Sequence, residues 1–401
     1  ETNFWLEWCT TLAFQPWHSA VEFRRYVLRF IQEFPRINIM TGIRHTRYNQ
    51  YDSVIVPVTN WLKKNGVNFL MKSHVVSLEF GKKEGDEQVE KIIYAQGGGQ
   101  KEIALGTNDL VFLTNGSMVT NSTLGSMTKP AVTNTDTPTN SWALWRDIAI
   151  GRPHFGNPVA FNSQINKSKW ESFSVTFRDK TLPDLMEAFS GNKPGTGGIT
   201  TFKDSNWLMS FVTPPQPHFK NQPEEISVSW GYGLYPDKKG NYITKTMPEC
   251  TGEEILIELC SHLGFTKDIS KILKSADCIP CMMPYITSQF MPRKKEDRPE
   301  VLPSGTRNFA FIGQYCEIPD EIVFTVEQSV RSAMIAVYGL LEIKKDIPAI
   351  YRGQYDSKNT RELFMTVFGI GWEAAAEAFK DGAEYFLAKA SEVEKIIASR
   401  A

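Results

Sequence analysis

The amino-acid sequence predicts a mixed α/β protein, and three observations carry that reading. The run from Asp109 to Gly116 is a short apolar segment ending in a glycine turn, as a buried strand of a parallel sheet requires. A second such run, Phe309 to Gln314, precedes a long helical pattern. Between and before them, apolar residues recur with helical spacing in some stretches and with strand-like composition in others.

Taken in order, Phe23, Val27, Phe30, Ile31 and Phe34 form a helical stripe that Pro35 terminates, with Arg25 and Arg29 on the wetter face. Asp52 or Ser53 can cap a second helix through Trp61 to Lys64. Gly66 ends it, and Val67 to Leu70 follows as a strand. Strands are then expected at Val75 to Phe80, at Lys91 to Ala95 and, after the turn at Gly97 to Gly99, at Glu102 to Leu105. The segment Thr128 to Asn140, rich in Thr, Pro and Asn, reads as a surface loop and a boundary. The Phe309 strand, a loop containing Pro319 and a helix from about Glu321 to Leu341 are expected to rejoin the first sheet. Short helical patterns such as Trp372 to Lys389 form a small appendage.

The 401 residues are enough for two or three domains. With 44 basic and 45 acidic residues the net charge is -1, which gives no electrostatic support to a nucleic-acid or anionic-membrane partner and favours a small one. Aromatic residues make up 12% of the chain, ample material for lining an apolar cavity. Six irregularly spaced cysteines argue for a reducing, cytoplasmic setting. Cys278 and Cys281 form a lone C-x-x-C without a second pair or a histidine at metal spacing, a weak metal or redox signal.

Six segments, read together, resemble one family. They are Phe14 to Ala20, Tyr48 to Ser53, Phe202 to Trp207, Gln216 to Phe219, Glu249 to Leu256 and Met283 to Ser288. This pattern is similar to the oleate hydratases, also called myosin-cross-reactive antigens, and covers about residues 4–341. The resemblance implies a discontinuous Rossmann-like FAD-binding domain with an inserted α+β substrate domain and a small C-terminal helical appendage. The corresponding division is active-site helices at 1–65, part of the FAD-binding domain at 66–128, the substrate domain at 129–300, a closing strand and helix at 301–345 and the appendage at 346–401. It implies a hydro-lyase that adds water across the cis double bond of an unsaturated fatty acid to give a 10-hydroxy acid. The implied partners are the fatty acid and water, with a homodimer and peripheral membrane association compatible with the family. The family's glycine-rich flavin turn and its water-activating glutamate have no match here, so the chain is expected to be an N-terminally shortened fragment. Gly195 to Gly198 has neither the spacing nor a preceding strand for that turn.

Alkene hydration needs a proton delivered to carbon inside a dry pocket. The resemblance places a tyrosine proton donor on Tyr26, at the edge of the Phe23–Phe30 stripe, with Tyr48 and Tyr51 as competitors. It places Gln50 near the substrate, where a neutral amide can bond a carboxylate without a buried countercharge. His218 suits the same task, because a bound carboxylate favours the charged imidazole. Val212 and Pro214 depart from the family pattern just before it and put carboxylate anchoring in question. Val323, Phe324, Thr325 and Ser329, at a helix start, are the expected FAD contacts. Two competing functions are a redox flavoenzyme of amine-oxidase-like fold and a non-catalytic fatty-acid binder.

Overall fold

A computed structural model of the protein describes residues 3–36, 45–196 and 198–368, and among these the longer strands fall into three sheets. Strands β1 (His74–Lys83), β2 (Asp86–Gln96) and β3 (Gly99–Ala104) make an antiparallel meander. Its first turn is closed by Gly85 at φ +96°, a value an L side chain resists. Strand β4 (Val111–Thr114) belongs to a separate, parallel pair. Strands β5 (Thr123–Leu124), β6 (Trp170–Phe177), β7 (Thr200–Thr201), β8 (Met209–Val212), β9 (Ser227–Gly233) and β10 (Ala276–Met283) form an antiparallel sheet in the order β5-β10-β6-β9-β8-β7. Strand β11 (Phe309–Ile312) completes the parallel pair, with Phe309 opposite Val111 and Ile312 opposite Thr114.

The six-stranded sheet has apolar layers of its own, while the meander and the parallel pair share one that includes Leu78, Val89, Val111 and Phe309. One face of β6, with Phe173, Val175 and Phe177, packs with Ile255, Leu256 and Leu259 of the helix Gly252–His262. That helix starts on a capping box in which Thr251 and Glu254 satisfy each other's backbone amides, matching its sequence signature. The parallel pair packs with Trp142, Trp145 and Ile148 of the helix Ser141–Ala149 and with Tyr315. The sheet's other side meets Cys9 and Ala13 near the N-terminal helix Asn3–Leu12.

Mixed α/β character is therefore present, with several changes from the sequence expectation. The first amphipathic helix spans Ala20–Phe30, and the second spans Val56–Lys64 after a wider turn at Tyr51–Ile55. Val67 to Leu70 is not a strand; Val67, Phe69 and Leu70 are exposed and enter no ladder. The β1–β3 meander stands as its own sheet, so β11 rejoins β4 alone. The long helix begins at Val326, not Glu321, because Glu321 to Thr325 is held in a loop by contacts described below. Trp372 to Lys389 lies outside the described residues. Cys278 and Cys281 are three residues apart in β10, which puts them on opposite faces of the pleat and excludes a shared ligand or disulfide. Gly195, Thr196 and Gly198 sit in a loop before β7, and Gly197 lies outside the described residues.

One core position is electrostatically costly. Glu171 on β6 is fully buried, and neither carboxyl oxygen has a hydrogen-bond partner. Burial pushes its pKa well above the usual carboxylate range, so the folded protein keeps the proton that the unfolded chain releases. The stability contribution of such a group is full below the unfolded pKa and is lost as pH rises toward the folded one. Glu171→Gln should raise stability at about pH 8 by about 1–3 kcal/mol and flatten the decline from about pH 5, as read by urea denaturation. An unchanged pH slope would show that the carboxyl is ionised in the fold.

Candidate active site

The segment between the first two helices sets the site. Ala13 turns the chain at φ +61° after the helix Asn3–Leu12. Gln15 then donates its backbone N–H to His18 Nδ1 at 3.1 Å, and His18 N–H returns to the Gln15 carbonyl at 3.0 Å. Thr287 donates its hydroxyl proton to the Ser168 carbonyl, which leaves its oxygen to accept from His18 Nε2 at 3.4 Å. With Nδ1 accepting, His18 is the neutral Nε2–H tautomer. Burial, partly offset by the Lys167 carbonyl, pushes its pKa down to about 4. Ser19 caps the helix Ala20–Phe30 and anchors it by donating its N–H to the Phe290 carbonyl at 2.8 Å.

That helix buries Glu22 and Tyr26, one turn apart. Tyr26 is 0% exposed. Its ring meets Phe14 edge-on at 5.1 Å and Phe290 edge-on at 5.4 Å, while Phe14 and Phe290 stack at 4.4 Å. The Tyr26 hydroxyl accepts the Phe324 backbone N–H at 2.9 Å, so its own proton is not used in that bond. Desolvation, then the nearby Glu22 charge, raises the phenol pKa well above its ordinary value; the Phe324 amide and Arg298 act in the opposite direction. Tyr26 is thus neutral at every ordinary pH, with two groups placed to stabilise its anion.

Glu22 is the hub of a buried ion cluster. It lies 2.6 Å from Arg293, 3.3 Å from Arg298 and 3.8 Å from Arg25. Glu317 meets Arg25 at 2.5 Å and Arg293 at 3.3 Å. A second group joins Arg29 to Glu321 and Glu327, and Arg331 to the same two glutamates. The pattern corrects one expectation. Arg25 and Arg29 are half-buried ion-pair partners and do not simply face water. The loop Lys294 to Arg298 is solvated only in part, because Arg298 is buried against Glu22. Alternating charges at Glu22, Arg25 and Arg29 on a helix with a buried face were the available signal.

The other predicted residues form a second group. Asn49 donates both its backbone and side-chain N–H to the His218 carbonyl, at 2.8 and 3.0 Å. Asp52 accepts from Asn49 and from the Lys220 backbone N–H at 3.0 Å. The loop bearing Tyr48, Gln50 and Tyr51 is thereby latched to the loop bearing His218, some 170 residues away. Tyr48 is half-buried, Gln50 is exposed and Tyr51 is exposed at the start of the wide turn. Burial lowers the His218 pKa while Asp52 raises it. The side chains of Val212 and Pro214 are half-buried beside this loop.

At the expected cofactor contacts, Val323 is buried against Tyr26, Phe324 is partly exposed, Thr325 caps the helix Val326–Leu340 and Ser329 is exposed one turn in. This helix start adjoins the C-terminal ends of β4 and β11. There Gly313, at φ +96°, donates its N–H to Ser332, and a side chain on Gly116 would strike Tyr315. Asn115 Oδ1 and Gln328 Oε1 are buried there without partners. Orphaned acceptors and a helix N-terminus beside parallel strand ends fit a nucleotide-like ligand.

In comparison with known proteins, residues 1–338 match the MCRA family. The chain belongs to the MCRA family. It is 40% identical over 377 residues to the oleate hydratase of Streptococcus pyogenes serotype M49 (strain NZ131), covering 91% of this chain and 63% of that relative. It is 34% identical over 367 residues to the linoleate hydratase of Lactiplantibacillus plantarum, covering 86% of this chain and 64% of that relative. This MCRA chain therefore spans less than two thirds of the length of either curated relative. Among its described residues no helix is long and apolar enough to cross a membrane, and no group of His, Cys, Asp and Glu could hold a metal ion.

Two expectations follow from the geometry. Glu22→Ala should leave Glu317 as the one carboxylate shared by Arg25, Arg293 and Arg298 and destabilise the fold by about 3–5 kcal/mol, seen as a lowered unfolding midpoint. His18 has a depressed folded pKa, so its contribution is present above about pH 6.5 and lost as pH falls toward 4. His18→Gln should reduce the stability gained between about pH 4 and pH 6.5 by up to roughly 3 kcal/mol, measurable by denaturation across that range.

Proposed function

We propose that this chain supplies the proton donor and the carboxylate-recognition surface of a FAD-containing fatty acid hydratase. The observation that carries the reading is Tyr26: a neutral, fully enclosed phenol in an aromatic cage, its oxygen bonded to a backbone amide and its proton uncommitted to that bond. In the proposed reaction Tyr26 Oη delivers its proton to one carbon of a cis alkene, positive charge grows on the neighbouring carbon, and water adds there. The Phe324 N–H and the Arg298 charge stabilise the phenolate, and the faces of Phe14 and Phe290 favour the developing cation while excluding water. Net hydration returns one proton from the added water, so no electrons leave the substrate.

Gln50 and His218, latched onto one surface, would bind the fatty acid carboxylate, with Tyr48 and Tyr51 beside them. An ionised carboxylate there would raise the His218 pKa and charge the ring, reversing the effect of burial. Val323, Phe324, Thr325 and Ser329 would hold the flavin at the start of the helix Val326–Leu340, completing a Rossmann-like arrangement around β4 and β11. When bound, the flavin would supply shape and electrostatics to a redox-neutral reaction. The names of the two relatives, oleate and linoleate hydratase, support an unsaturated fatty acid as substrate, and the proposal assigns it a 10-hydroxy acid as product.

In flavin-loaded protein, Tyr26→Phe should lower 10-hydroxy acid formation from oleate by about a hundredfold or more while the flavin absorbance is retained. Near-normal turnover would remove Tyr26 from the role. Oxygen consumption and flavin bleaching without hydroxy acid would favour a redox flavoenzyme instead.

A further inference from the structure

A half-open cavity of about 350 Å³ lies against the 13–17 segment, and none of the residues given a proton-donor, substrate or cofactor role above lines it. Its volume is within the range of small-molecule sites. Ala13, Trp17, Trp170, Leu234 and Pro236 give it apolar walls, while Lys167, Lys169 and Lys238 stand round it with Asp237 as the one acid. Asp237 is paired to Lys169 at 2.7 Å, which leaves the exposed Lys167 and Lys238 in excess of negative charge. Lys238 lies over the Tyr235 ring at 4.4 Å, so its ammonium is held beside the cavity. An apolar chamber with a cationic rim matches one chemistry, a single acyl chain ending in an anion.

Two further features concern the wall itself. Gln15 and Trp170 both line the cavity and are more than nine-tenths buried, yet Gln15 Oε1 and Trp170 Nε1 have no hydrogen-bond partner. A carboxylate can accept from the Trp170 N–H but leaves the Gln15 oxygen unmet, so recognition of an anion rests on the lysines. The wall is also shared with the proton donor, because Ala13 and Gln15 face the cavity while Phe14, between them in sequence, packs on Tyr26. Thr287 closes the same wall and contacts His18.

We propose that this cavity is a loading site for a long-chain fatty acid anion, with the acyl chain against Trp17, Trp170 and Leu234 and the carboxylate at Lys167 and Lys238. The site is separate from the Gln50–His218 surface and rests on the fatty-acid chemistry of the proposed function. It would hold substrate one wall away from Tyr26 before transfer.

The test is direct binding of oleate and of methyl oleate by equilibrium dialysis, in the wild-type chain and in a Lys167→Glu, Lys238→Glu double variant, with Trp17→Ala as a second variant. Both lysines are exposed, so folding is retained. The double variant should bind oleate about tenfold more weakly at low salt while methyl oleate changes less than about twofold. Trp17→Ala should weaken both ligands. With flavin-loaded protein, the lysine variant should raise KM at unchanged kcat. Unaltered oleate affinity in both variants would overturn the site. So would charge-dependent binding to phosphatidylglycerol vesicles with no binding of monomeric oleate, because that result assigns the lysines to a membrane surface. Dialysis is independent of turnover: loss of oleate binding in the variants supports the loading site even where Tyr26→Phe disproves the proposed proton donor.

Discussion

The buried carboxylate of Glu22 is the interaction on which the site depends. A charge at 0% exposure is tolerable only if countercharges come to it, and here they come from distant parts of the chain: Arg25 on the same helix, and Arg293 and Arg298 from the segment after β10. Glu317 links the same arginines to the loop after β11. Three segments are thus fixed to one another by charge before apolar packing is considered. The fixed loop is the one that presents the Phe324 amide to Tyr26. A hydrophobic replacement of equal volume could pack as well, but it would not set the register of that amide so narrowly.

The same cluster explains the electrostatics of the phenol. Five arginines meet four glutamates across its two groups, so the cluster carries an excess positive charge. Glu22 is close to Tyr26 and opposes loss of the phenol proton, whereas Arg298 favours it. Desolvation, reinforced by Glu22, keeps the resting state a neutral acid, and the Phe324 amide and Arg298 are already in place to receive its anion. Preorganisation of this kind avoids reorganising solvent at the moment of proton transfer. Arg293 and Arg298 also lie over the Phe161 ring at 5.9 and 5.7 Å, which restrains their side chains and keeps the charges in place.

Local structure was legible in the sequence where one segment determines it. The stripe from Phe23 to Phe30 and the apolar runs that became β4 and β11 all appear as helix or strand. Pairing between runs was less legible. Nothing in the 74–104 segment distinguishes a free-standing meander from strands that join β4, because both need the same turn glycines and the same apolar residues. Val67 to Leu70 read as a strand from composition alone, and no partner edge is supplied to it. Within the site, Tyr26 could be placed at a helix edge, but its bond to Phe324 depends on a loop some 300 residues later. The Asn49–His218 latch was invisible for the same reason: it runs through a backbone carbonyl, which leaves no trace in side-chain type.

On the proposed roles of Tyr26 and of the Gln50–His218 surface, that latch would let acid and anchor vary independently. Tyr26 is held by a helix, an aromatic cage and an ion cluster, a rigid arrangement in which one lost charge is costly. The Gln50 and His218 loops are joined chiefly by Asn49 and Asp52 bonding to backbone groups, and their outward side chains take little part in the joint. Substitutions at Gln50, Tyr51 or the residues before His218 can therefore change what the surface recognises without moving the proton donor. Val212 and Pro214 fall in that permissive region. On the proposed roles, a fold arranged this way would keep the demanding chemistry in its most constrained part and leave recognition of the acid end of the substrate to loops that tolerate change.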